Sequence, residues 1–115
     1  MEIKNKAEQI AKLLSAKKAQ DILIIHVAEK TILADYFIIA SAGSTTLVAT
    51  LAEEVEFKMG REGVRPLRME GVREGRWIVM DYGDILVHIF HNEEREFYQL
   101  ERLWADDENC VKYED

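Results

Sequence analysis

The sequence holds one cysteine, Cys110, and one proline, Pro66, in 115 residues. A lone thiol closes no internal disulfide and builds no cysteine-rich metal cluster, so core packing must hold the fold. So little proline, with only six glycines, excludes a Pro-rich linker or low-complexity segment. No apolar run approaches the length needed to cross a bilayer. Met1 to Lys6 are polar and lead into an amphipathic pattern, so neither an export signal nor membrane association is expected, and the expected compartment is the cytoplasm. Positive charge is also scarce. Fifteen Lys and Arg stand against 22 Asp and Glu, a formal net charge of -7, which disfavours direct binding of DNA or other nucleic acid.

What remains is ordinary for a globular domain, 48% apolar and 32% charged, and 1–115 is long enough for one core but not two. The clearest pattern runs from Arg76 to His91. Two stretches rich in β-branched and aromatic residues flank Tyr82-Gly83, which predicts a β-hairpin, with glycine supplying the positive φ of a tight reversal. The second arm, Ile85 to Phe90, is almost continuously apolar and should lie inside a sheet covered on both faces. Asp81 and Asp84 are expected to bracket the turn with their carboxylates in water, beside Tyr82 and Trp77, as an acidic and aromatic corner able to bind something basic.

Upstream, Ile3, Ala7, Ile10, Ala11 and Leu14 recur at helical spacing, predicting an amphipathic helix that ends near Lys17. Asp21–Val27 and Tyr36–Ala42 read as buried strands joined by a short connection through Asp35. Ser44 or Thr45 offers an N-cap for a second helix, whose Leu47, Leu51, Val55 and Met59 step by four. Val64–Glu70, with its proline and arginines, reads as an edge strand. Asn92 is expected to cap a single last helix packed through Phe97, Leu100 and Trp104, followed by an acidic tail from Ala105 that frays. The order predicts one α/β domain with a mixed sheet of about five strands flanked by helices.

Three ordered blocks also resemble a known family: Ala34–Ser41, Glu74–Phe90 and Arg95–Trp104 are similar to the signature blocks of the ribosomal silencing factor (Iojap-like) family. The resemblance covers nearly the whole chain. It departs at Thr46-Leu47, where family members often carry an Arg-Gln pair. The resemblance implies a nucleotidyltransferase-like fold without an active site. It implies a translational repressor that binds the large ribosomal subunit through its fourteenth ribosomal protein and sterically blocks joining of the small subunit when nutrients are scarce. It implies a homodimer off the ribosome, no catalysis and no cofactor.

The expected contact residues are Trp77, Asp81, Tyr82 and Asp84, with Asp35, Tyr36, Tyr98 and Glu101 nearby. Each has a plainer role open to it: Trp77 as core, Asp81 and Asp84 as turn formers, Asp35 as a bend or cap, Tyr98 and Glu101 as packing with a salt-bridged face. His88 is expected in the core, satisfied by a hydrogen bond. The competing reading is a nucleotidyltransferase-like enzyme using magnesium and a nucleotide triphosphate, suggested by Gly43-Ser44 between a strand and a helix. The strand after that helix lacks the paired aspartates such chemistry needs.

Overall fold

The structure, a computed structural model, describes residues 2–114. In chain order the elements are α1 (Ile3–Ala16), β1 (Gln20–His26), β2 (Tyr36–Ala42), α2 (Thr45–Arg61), β3 (Arg68–Glu70), β4 (Trp77–Asp81), β5 (Ile85–His91), α3 (Asn92–Tyr98), α4 (Leu100–Trp104) and β6 (Cys110–Lys112). The hairpin forms as expected: β4 and β5 pair antiparallel from Trp77↔Phe90 to Asp81↔Leu86. At the reversal Gly83 takes φ 86°. Asp81 closes the turn, its Oδ1 accepting the Gly83 N–H at 2.8 Å.

The strands form one mixed sheet in the order β3-β4-β5-β2-β1-β6. β5 is interior, parallel to β2 from Tyr36↔Ile85 to Ala42↔His91, as its continuous apolar run requires. The other pairs are antiparallel, and β3 takes the edge position that its charged side chains suit. Both α1 and α2 cover one face. Their buried stripes, Ala7, Ile10, Ala11 and Leu14 from one and Val48, Leu51, Ala52, Val55 and Met59 from the other, pack on Ile24, Ile38, Ile78, Val87 and Ile89. Each fully buried Val, Leu, Ile or Met among them is worth about 1.5–3 kcal/mol relative to exposure. Ser44 is the N-cap of α2, its hydroxyl accepting the Leu47 N–H at 3.1 Å. The opposite face carries Ile25, Phe37, Ile39 and Phe90 and is covered only in part, by Leu100 and Trp104.

Three expectations are corrected. The cap of α3 is His91 rather than Asn92, its Nδ1 accepting the Glu93 N–H at 3.2 Å. The sheet has six strands because the acidic tail does not fray: Cys110–Lys112 pairs with Leu23–Ile25 of β1. The tail is tied at its base. Lys30 Nζ lies 2.8 Å from Asp106, whose Oδ1 also accepts the backbone N–H groups of Glu108 and Asn109. The Lys30 bond, with those two N–H groups, holds the Asp106 carboxyl down at about 2. The last helix is two helices, because Gln99 adopts the left-handed conformation, φ 45°, ψ 50°, and turns α4 away from the axis of α3. That break places Phe97 outside the packing stripe, 79% exposed, while Leu100 and Trp104 pack as expected.

Candidate partner-binding face

On a strand alternate side chains point to opposite faces, so Trp77, Val79 and Asp81 of β4 share the partly covered face with Leu86, His88 and Phe90 of β5. Here the rings form a continuous chain. Trp77 stacks on Phe90 with centroids 4.7 Å apart and touches the Tyr98 ring at 5.0 Å. His88 meets Phe37 edge-on at 5.1 Å, and Phe37 meets Trp104 at 5.2 Å. Trp77 is half-buried. Its indole N–H donates to His88 Nδ1 at 3.2 Å, which fixes the ring and puts the proton of neutral His88 on Nε2. His88 is thus the core histidine expected, but only half satisfied: Nε2 is buried with no partner among the described residues. Burial pulls its pKa down to about 4, so His88 is neutral wherever the chain is folded near neutrality.

Gly71 sets the position of Trp77 from behind. It sits at φ 79°, and a Cβ there would overlap the Trp77 carbonyl oxygen, so only glycine lets the loop pass so close to β4. Around the ring chain lie exposed apolar groups: Phe97, Tyr98 at 49% exposure and Leu103. Phe97 and Tyr98 stand edge to face, 4.9 Å apart. Asp81 lies on the same face at the turn end of β4.

The eight residues singled out in the sequence do not form one cluster. Trp77, Asp81 and Tyr98 share the ring-bearing side. The Asp81 and Asp84 carboxylates do not stand free in water. Asp81 closes the turn and lies 3.5 Å from Arg68 Nε. Asp84 is bonded at 2.8 Å to Lys6 of α1, tying the hairpin to the helix layer. Tyr82 points to the other face, 7% exposed and packed in the helix-side core. Its hydroxyl has no partner among the described residues, and burial, with the negative charge of Glu56 nearby, pushes its pKa up to about 12.

Asp35 bridges strands through its backbone, donating to Asp84 O and accepting from Val27 N–H, both at 2.8 Å. Tyr36 also belongs to the helix side. It stacks on His26 at 4.8 Å and lines a cavity of about 600 Å³ between α1 and the β1–β6 edge. Glu101 sits behind α3, with Oε2 3.4 Å from Arg95 Nε. Helical spacing sets Arg95 with Tyr98, Glu101 and Trp104 on a packed and salt-bridged solvent face; Arg95 does meet Glu101, but it is buried, at 8% exposure, which the sequence did not show.

A family model described as "Ribosomal silencing factor during starvation" matches residues 1–115. The chain is 40% identical over 90 residues to ribosomal silencing factor RsfS of Bacillus subtilis, covering 78% of this chain and 76% of that protein. It is 36% identical to the RsfS of Halalkalibacterium halodurans, over 78% of this chain and 77% of the relative. A crystal structure of a protein from Chromobacterium violaceum superposes with a TM-score of 0.89 at 29% identity, covering all of this chain and 95% of that one.

Proposed function

Because this chain belongs to the ribosomal silencing factor family, we propose that it binds the large ribosomal subunit through that subunit's fourteenth protein. Seated there it keeps the small subunit from joining by bulk alone, and so represses translation when nutrients are scarce. The reading includes no catalysis, a cytoplasmic location and a homodimer off the ribosome. The observation that carries it is the ring chain from Tyr98 through Trp77 to Phe90, fixed on the sheet and ending at exposed Phe97, with Asp81 on the same face at the turn end of β4. Preordered aromatic groups bordered by charge are what concentrated protein–protein binding energy needs. A net charge of -7 complements a basic ribosomal surface and speeds encounter with it. Trp77, Asp81 and Tyr98 are the proposed contacts. Tyr82, Asp84, Asp35, Tyr36 and Glu101 support them from beneath or from the side.

The enzymatic alternative finds less support. Ser44 Oγ is engaged as the cap of α2, and the strand that follows α2 carries Arg68, Met69 and Glu70 rather than paired aspartates. The test of the binding reading is co-sedimentation with purified large subunits, alongside the rate of subunit joining. Tyr98→Ala removes an exposed ring without opening the core, and it should weaken binding roughly tenfold, about 1.4 kcal/mol. Asp81→Lys should do the same by setting like charge against a basic partner. Normal joining in the presence of saturating wild-type protein overturns the reading.

A further inference from the structure

A second concavity lies where the parallel strands β2 and β5 end, bordered by α3. Ser41, next to last in β2, and Asn92, just past β5, both line it. Open α/β sheets take small ligands outside the carboxyl ends of parallel strands. This cavity measures about 450 Å³, within the range that holds metabolites.

Its chemistry is that of a built site. The buried Arg95 guanidinium is held on three sides: Nη1 donates to Ser41 Oγ at 3.2 Å and to the Gln20 carbonyl at 3.3 Å, and Nε donates to Glu101 at 3.4 Å. Nη2 makes no hydrogen bond among the described residues. Two lining residues that are not glycine, Asp21 (φ 47°) and Gln99 (φ 45°), hold left-handed backbone, at a cost of about 1 kcal/mol or more each. Asp21 lies in the register irregularity between Gln20 and Leu23, so β1 is bent just where it borders the cavity. Such strain gathers at ligand clamps.

The charges select the ligand. Two guanidinium groups, Arg95 and Arg102, stand with three carboxylates, Asp21, Glu96 and Glu101. A simple anion meets the carboxylates and a simple cation meets the guanidinium groups, whereas a molecule bearing both charges satisfies both. We propose that this cavity binds a small zwitterion of the α-amino acid class, its carboxylate on Arg95 and Arg102 and its ammonium group on Asp21 and Glu96. Arg95 offers the donors of its remaining nitrogen, Nη2, and the planar guanidinium of Arg102 suits a carboxylate because it presents paired donors.

The test uses the isotope-labelled full chain and follows backbone amide resonances while the standard amino acids are added one at a time, with acetate and methylammonium as half-ligands. At least one amino acid should give saturable shifts at Ser41, Asn92 and Gln99, binding at least roughly tenfold tighter than either half-ligand. The double variant Asp21→Asn, Glu96→Gln changes two exposed side chains, and asparagine tolerates the left-handed backbone. It should lose about tenfold in amino acid affinity while acetate binding is kept or strengthened, because two repelling carboxylates are gone. Arg102→Gln should weaken both. The proposal is overturned if no amino acid moves these amides, if acetate binds as tightly as every amino acid, or if the double variant binds as the wild type does.

Discussion

His88 and Tyr82 show how much a single residue's direction decides. They lie near one another in sequence, on opposite faces of one hairpin, and each buries a polar atom with no partner among the described residues. For His88 the folded pKa of about 4 lies below the ordinary 6.5, so the unfolded chain takes up its proton first. Its contribution to stability is complete above pH 6.5 and is lost as pH falls toward 4, for about 3 kcal/mol in all. Urea unfolding from pH 7 to pH 4 should show this loss, and His88→Phe should flatten that part of the profile. Tyr82→Phe removes a buried hydroxyl that makes no hydrogen bond among the described residues. It should leave stability unchanged or raise it by up to about 1 kcal/mol, and it should leave ribosome binding as it was, a comparison open to thermal melting and co-sedimentation together.

The elements were legible in the sequence wherever burial alone wrote the pattern. Leu47, Leu51, Val55 and Met59 announce α2, and the unbroken apolar run of β5 announces its interior place. What period cannot announce is a reversal of backbone. Gln99 carries no helix-breaking side chain, so the split between α3 and α4 was hidden, and with it the exposure of Phe97 and the burial of Arg95. The tail was hidden for a related reason: it joins the border of β1 through a backbone ladder, with Cys110 and Tyr113 packing beside the core, and a short, mostly polar segment does not announce such pairing. Likewise Trp77, Asp81 and Tyr98, the proposed contacts, share the ring-bearing side, but the inward turn of Tyr82 depends on strand alternation at the very end of β4. Gln99→Gly relieves left-handed strain and should raise stability by about 1 kcal/mol in a thermal melt. Ending the chain after Asp107 removes the β6 ladder, and at roughly 1 kcal/mol for each lost hydrogen bond it should cost about 2–3 kcal/mol in the same measurement.

At the scale of the whole molecule, acidity and docking belong together. If a chain of net charge -7 is drawn to a cationic ribosomal surface, its association rate should fall about tenfold or more between low and physiological salt. Dissociation, set by the buried rings, should change little. Stopped-flow light scattering with large subunits separates the two.

The central seam of the sheet joins β2 to β5 in parallel, pairing Tyr36 with Ile85, strands between which the chain must first make a helix, an edge and half a hairpin. Loop closure of that span comes before any reward from contact, so this protein should fold slowly for its size. During synthesis its first half waits, with β2 unzipped along one border, until the ribosome has delivered the segment that completes it.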